Sequence, residues 1–261
     1  MSMQALSSIS LRGLPHHLDL TNRLVHVWQS TLDLPTEYIE NFARSLSLDE
    51  SARAKRFRFE HLQRRFIASR GILRVILASY LDADPAQLQF AYGPQGKPTL
   101  AASNHTQFAQ AQPNLSFNLS HSESLALYAV TLDRQVGIDL EYIPPSREVN
   151  ELAKRFFSPQ EYSTICALPP EQQKAAFLQI WTHKEAYLKA TGEGLMGLKQ
   201  VEVNLHQGNK NIPPRLSILN DPQASLRWKT VQLHPHPDYV AALAIEGGDW
   251  QLVQYGLICE T

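Results

Sequence analysis

The residues most able to do chemistry are Asp139 and Glu141, set two apart in the apolar run GIDLEYI at 137–143. A strand turns alternate side chains to opposite faces, so both acids share one face while Ile138 and Leu140 take the other. Two like charges side by side belong either to a solvated face or to a divalent cation held between them. A second unusual placement lies further on. The pattern predicts a helix from about Pro170 to Thr191, ended by Gly192, with Phe177, Ile180, Trp181 and Leu188 forming a buried stripe. Lys184 and Glu185 fall on that stripe, and Lys189 follows Glu185 by four residues. An ionised group buried without a partner is costly. Either the stripe has a wet edge there, or these groups have partners. If Glu185 faces Asp139 and Glu141, three carboxylates meet and repel unless a hard cation joins them. Magnesium fits this set, because it accepts a few carboxylates and leaves positions open for phosphate oxygens. Lys184 and Lys189 would then point at the same phosphates.

Two further stretches suit a phosphorylated ligand. GPQGKP at 93–98 combines two glycines, two prolines and Lys97, a rigid turn that could equally be plain surface. NLSHS at 118–122 sets His121 at a strand end beside the Ser120 hydroxyl, and both side chains can donate to phosphate. Arg53, Lys55, Arg56, Arg58, Arg64, Arg65 and Arg70 form a local excess of positive charge, readable as a solvated face or as partners of Asp49, Glu50 and Glu60.

The elements that must position these groups read as helices with antiparallel strands. Ser47 with Glu50, and Ser158 with Pro159 and Glu161, are two capping-box helix starts. The tetrapeptide AKRF occurs at both Ala54 and Ala153, near those starts, and suggests two lobes of related build with the chain crossing near 132–136. NLSFNLS and LALYAVTL flank HSES as a hairpin, VGIDLEYI follows, and QVEVNL, RLSIL, LRWKTVQL and YVAALAI are short strand patterns in the second half. PPSREVN, after the acidic strand, reads as a connection. The fold class is α+β.

At 261 residues, 43% hydrophobic and 19% charged, the chain has ample length for a core without staples. A formal charge of -1 gives no global pull toward nucleic acid or membrane, so any anion site is local. Cys166 and Cys259 show no metal-type spacing and fit a reducing compartment. No secretory signal pattern opens the chain, and no apolar run approaches the ~18 residues that span a bilayer, so a cytoplasmic location is expected.

The order of the motifs carries more than any one of them. GKP, FNLSHS, GIDLE and WTHKEAYLKATGEGL, in that sequence, closely resemble the signature series of the surfactin-synthetase-activating type of 4′-phosphopantetheinyl transferases, over about Arg53 to Leu195. The resemblance implies a pseudodimer of two similar α/β lobes, each with a long helix on a mainly antiparallel sheet, at 1–133 and 134–261. It implies a monomer with coenzyme A in the cleft between the lobes. Carried over residue by residue, it implies that Asp139, Glu141 and Glu185 hold Mg2+ with the coenzyme A pyrophosphate. Lys184 and Lys189 would lie near the phosphates, Ser120 and His121 would contact phosphate oxygens, and Gly96, Lys97 and Pro98 would border the adenine and 3′-phosphate pocket. Trp181 would be a packing residue. The implied reaction moves phosphopantetheine onto a serine of an apo acyl or peptidyl carrier protein, with Glu185 or a metal-bound water as base. This chain has Glu50 and Ser51 where the family often has lysines for the 3′-phosphate, so Arg53, helped by Arg65, is the substitute. Two other readings use the same acids: a magnesium-dependent hydrolase of a nucleotide pyrophosphate, for which no further base is evident, and a non-catalytic coenzyme A or carrier-protein binding module.

Overall fold

The structure, a computed structural model, describes residues 11–12, 18–101, 114–143, 149–205, 214–219 and 221–259. Most of the connection after the acidic strand and most of the N-terminal 15 residues lie outside them. The strands are β1 (Leu11–Arg12), β2 (Leu24–Thr31), β3 (Phe90–Tyr92), β4 (Pro98–Leu100), β5 (Leu115–Ser122), β6 (Leu125–Leu132), β7 (Val136–Tyr142), β8 (Val201–Asn204), β9 (Arg215–Ile218), β10 (Trp228–Leu233), β11 (Tyr239–Glu246) and β12 (Gln251–Cys259). The helices are α1 (Thr36–Ser45), α2 (Leu48–Ala54), α3 (Glu60–Leu81), α4 (Asn150–Phe156), α5 (Pro159–Cys166), α6 (Pro170–Thr191) and α7 (Ala224–Arg227). The fold is α+β.

Two sheets and two long helices make four layers. One sheet has the order β1-β12-β2-β6-β5, the other β10-β11-β7. Alternation along the strands builds three cores at once. On β2 and β6, Trp28, Tyr128 and Val130 face α1 and α3 with Phe42, Ile72 and Ile76, while Val25, Val27, Leu127 and Ala129 face the second sheet. On β7 and β11, Ile138, Leu140, Leu243 and Ile245 meet them from the other side. The remaining face of the second sheet, with Ala242 and Ala244, lies under Phe177, Ile180 and Leu188 of α6. The layers therefore run α3, first sheet, second sheet, α6.

In each half the second helix opens with a capping box, at Ser47–Glu50 of α2 and Ser158–Glu161 of α5. These are the equivalent points. The AKRF tetrapeptides are not, because Ala54 ends α2 whereas Ala153 lies in α4, ahead of the second box. Residues 251–259 of the expected second lobe also return to the first sheet, where β12 runs parallel to β2 and Tyr255 stacks on Trp28 with centroids 4.2 Å apart. Helix α6 occupies the span read from sequence, with Pro170 in its first turn and Gly192 at φ 80° as its left-handed cap. The LRW segment is divided, its Leu226 and Arg227 in α7 and its Trp228 opening β10.

Candidate functional site

The site begins at Gly137. A Cβ there would lie 2.0 Å from the Ala186 carbonyl oxygen and 2.4 Å from the Ala190 amide nitrogen, so only glycine lets the α6 backbone rest directly on β7. That contact sets Glu185 and Lys189 beside the strand face that carries Asp139 and Glu141.

The second fixture is a polar seam between β5 and β7. These strands come side by side where the two sheets meet, and alternate side chains of β5 replace a backbone ladder. Asn118 Oδ1 accepts from the Ile138 N–H at 2.9 Å, Ser120 Oγ from Leu140 at 3.2 Å, and Ser122 Oγ from Tyr142 at 3.0 Å. The period of two places all three on one side of β5, so the FNLSHS motif joins the lobes and fixes the register of the acidic strand. A run of Asn and Ser at alternate positions within an otherwise apolar strand was the available sequence signal for this seam.

Within this frame Asp139, 3% exposed, binds Lys189 Nζ at 2.5 Å through Oδ1. The Ser120 hydroxyl donates to the same oxygen at 3.1 Å and accepts from Lys189 Nζ at 3.0 Å. The other Asp139 oxygen, Oδ2, and Glu185 Oε1 are buried with no hydrogen-bond donor. Burial, then the charge of Asp139, push the Glu185 carboxyl up to about 7, with Glu141 adding to the rise and Lys189 opposing it. Glu185 therefore feels the charge of both strand acids. Among the described residues, no three His, Cys, Asp or Glu side chains form a ready-made metal cage. The donor set nevertheless suits a hard cation, since two carboxylate oxygens stand buried without donors and Glu185 gains from any positive charge placed near it.

His121 is exposed at the end of β5, and desolvation, followed by the charges of Lys189, Arg53 and Arg65, holds its pKa below the usual imidazole range. Three cations around a neutral imidazole make that corner attractive to an anion. Arg53 is exposed and stacks 5.5 Å over Phe66, whereas Arg65 is bound by Asp33 and Glu123. The help expected of Arg65 is thus already engaged by two acids.

Lys184 departs from expectation. It is completely buried, and its ammonium binds Glu161 Oε2 at 2.6 Å and donates to the Leu198 carbonyl at 3.0 Å. The reason is angular: at 100° per residue, Lys184 and Lys189 diverge by about 140° around α6, while Glu185 and Lys189 diverge by about 40°. Lys184 thus turns toward α5 while Lys189 turns toward β7. Glu161 completes the pair by accepting from the Val203 N–H at 2.8 Å and the Ser158 N–H at 2.8 Å. Glu161 was legible as a capping residue, but its partnership with Lys184 was not, because nothing in the sequence pairs a helix start with a position 23 residues away.

Lys97 departs similarly. Its ammonium donates to the carbonyls of Ala190 at 2.7 Å and Val136 at 3.4 Å, tying the β3–β4 turn to the end of α6 and the start of β7, and burial pushes its pKa down to about 8. A cation at a helix C-terminus is favourable there. Gly96 beside it takes φ 79°, and Pro98 opens β4 opposite Tyr92. Trp181 packs among Phe156, Phe157 and Phe177, as a packing residue should.

Residues 135–244 match the 4′-phosphopantetheinyl transferase superfamily, and residues 28–132 match the family described as 4′-phosphopantetheinyl transferase, N-terminal. The chain is 45% identical to the 4′-phosphopantetheinyl transferase HetI of Nostoc sp., over 91% of this chain and 94% of that one. It is 39% identical to a putative 4′-phosphopantetheinyl transferase of Synechocystis sp., over 67% of this chain and 68% of that one. It is 28% identical to the 4′-phosphopantetheinyl transferase Sfp of Bacillus subtilis, over 79% of this chain and 89% of that one.

Proposed function

As the chain belongs to the 4′-phosphopantetheinyl transferase family, we propose that it moves 4′-phosphopantetheine from coenzyme A to a serine hydroxyl of an apo acyl or peptidyl carrier protein. The observation that carries this reading is the convergence of Glu185, Asp139 and Lys189 with two buried acceptor oxygens left without donors. Asp139, Glu141 and Glu185 would hold Mg2+, which when bound would neutralise pyrophosphate charge.

The chain's own residues account for the rest. Lys189, anchored on Asp139 and Ser120 and about a third exposed, presents positive charge toward the cleft. His121 and Arg53 receive anionic oxygens, with Gly96, Lys97 and Pro98 framing the adenine and 3′-phosphate side. Glu185, held in its charged form by a cation beside it, is placed to take the serine proton. The serine oxygen forms a bond to the β-phosphorus as the bond from that phosphorus to the bridging oxygen breaks. The hydroxyl proton passes to Glu185, and 3′,5′-ADP leaves carrying the bridging oxygen. The two lobes supply both walls of the cleft, so one copy suffices. Two cysteines without metal-type spacing suit the cytoplasm. No helix among the described residues is long and apolar enough to cross a membrane.

The test is intact-mass analysis of an apo carrier protein incubated with the protein, coenzyme A and magnesium. Gain of one phosphopantetheine mass, lost on chelation, is expected. Cleavage of coenzyme A with no mass gain would instead favour a pyrophosphate hydrolase.

A further inference from the structure

The basic segment at the mouth of the first lobe divides into two populations. Arg64, Arg65, Arg70 and Arg74 are all engaged: Arg64 with the Leu34 carbonyl, Arg65 with Asp33 and Glu123, Arg70 and Arg74 with Glu50. Arg53, Lys55, Arg56 and Arg58 are exposed, and among the described residues they make no ion pair. Residues 51–59, SARAKRFRF, contain four cations and no acid, in a chain whose formal charge is -1. The same stretch exposes aromatic and aliphatic surface, with Phe57 at 36%, Phe59 at 54% and Leu62 at 38%. Arg58 lies 5.5 Å over Phe59, and Phe57 packs 5.4 Å from Phe66.

Folding gains nothing from exposed phenylalanines flanked by unpaired arginines. Arg and aromatic side chains together are the composition of binding hot spots, and a contiguous exposed apolar patch marks an interaction surface.

We propose that Lys55, Arg56, Phe57, Arg58, Phe59 and Leu62 form the surface on which an acidic carrier protein docks to deliver its serine. The proposal rests on the transferase reading. Charge complementarity selects the occupant: four unpaired cations around two exposed rings fit a small protein that presents carboxylates beside an apolar spot. Arg53, at the inner edge, is left to the coenzyme.

The experiment uses the full-length protein and an apo carrier protein, comparing wild type with Arg56→Glu/Arg58→Glu, with Phe59→Ser, and with Lys229→Glu as an exposed charge reversal elsewhere. KM for carrier and KM for coenzyme A are measured separately, together with carrier binding in the absence of coenzyme A and thermal midpoints. The double charge reversal is expected to raise carrier KM and Kd by about tenfold and to flatten their salt dependence, leaving the coenzyme A KM unchanged. Phe59→Ser is expected to weaken carrier binding without altering its salt dependence, and Lys229→Glu to change nothing. Unchanged carrier KM and Kd in both patch variants would overturn the proposal. So would a rise confined to the coenzyme A KM, which would assign the patch to the coenzyme, or loss of binding to acidic vesicles or nucleic acid with carrier binding intact. A wild-type protein that neither binds nor modifies a carrier would fail the transferase reading itself, before any variant is compared.

Discussion

The two lobes solve the same structural problem, and only one of them adds something to it. In the first, Glu50 of a capping box turns into α3, where Arg70 and Arg74 bind it at 2.5 and 2.6 Å. In the second, Glu161 of a capping box turns into α6, where Lys184 binds it at 2.6 Å. Both sets are buried and carry further hydrogen bonds, although Arg74 Nη2 has none beyond its ion-pair contact. Burial alone would raise the Glu50 carboxyl, but its two arginines outweigh that and hold it below the usual range. Adjacent to Lys184, α6 carries Glu185, which faces Asp139 instead and keeps an acceptor oxygen without a donor. A closed ion pair holds a lobe together, whereas an open acid set waits for a ligand. The difference separates structural from reactive charge on a single helix.

Glu185→Gln is the substitution with the largest expected effect on that contrast. Transfer rate should fall by about 10²–10⁴, the usual range for a lost general base, while thermal stability holds or rises. Glu161→Ala should do the reverse first, costing about 3–5 kcal/mol in urea unfolding by stranding the Lys184 charge, with Lys184→Met in the same background recovering much of the loss. If Lys184→Met abolished transfer without disturbing stability, the division between closed and open charge would be wrong. Gly137→Ala should sit between them, since its methyl group would displace α6 from β7; about 1–3 kcal/mol is expected, together with a loss of activity that second-site repacking does not restore.

A pH dependence shared by both lobes is expected as well. Burial pushes His26, bonded to Tyr80, and His183, bonded to Gln232, each down to about 4. An unfolded histidine takes up its proton near 6.5, before the folded one does. The stabilisation is therefore complete above about pH 6.5 and is lost as pH falls toward 4, at up to roughly 1.4 kcal/mol per pH unit for each ring. Denaturant titrations at stepped pH should show this slope, reduced by about half in His183→Gln.

Much of this molecule was legible from local rules. Helix α6 begins and ends where a proline and a glycine put it, both capping boxes form, and the strand period places Asp139 and Glu141 on one face. What escaped was long-range. The AKRF repeat resembled a symmetry mark, but the first copy runs off the end of α2 whereas the second lies inside α4. Lys184 was read as lying near the phosphates and Lys97 as bordering the adenine and 3′-phosphate pocket because the motifs supply cations, whereas burial decides what a cation binds. Lys97 meets two carbonyls and Lys184 meets Glu161, leaving Lys189 as the motif cation beside Asp139. Asn118 and Ser122 left only a pattern of alternate polar residues, whose backbone partners show once the two strands are brought together.

The most direct test of the central claim is calorimetric titration of magnesium into the protein with coenzyme A at pH 7, in two buffers of different ionisation enthalpy. A cation seated among Asp139, Glu141 and Glu185 should bind with release of roughly half a proton, because Glu185 titrates near 7 and the cation drives it to its charged form. Asp139→Asn should weaken that binding and Glu185→Gln should abolish the proton release. Binding of equal strength in both variants, or no proton release from the wild type, would contradict the assignment of these three acids to a cation.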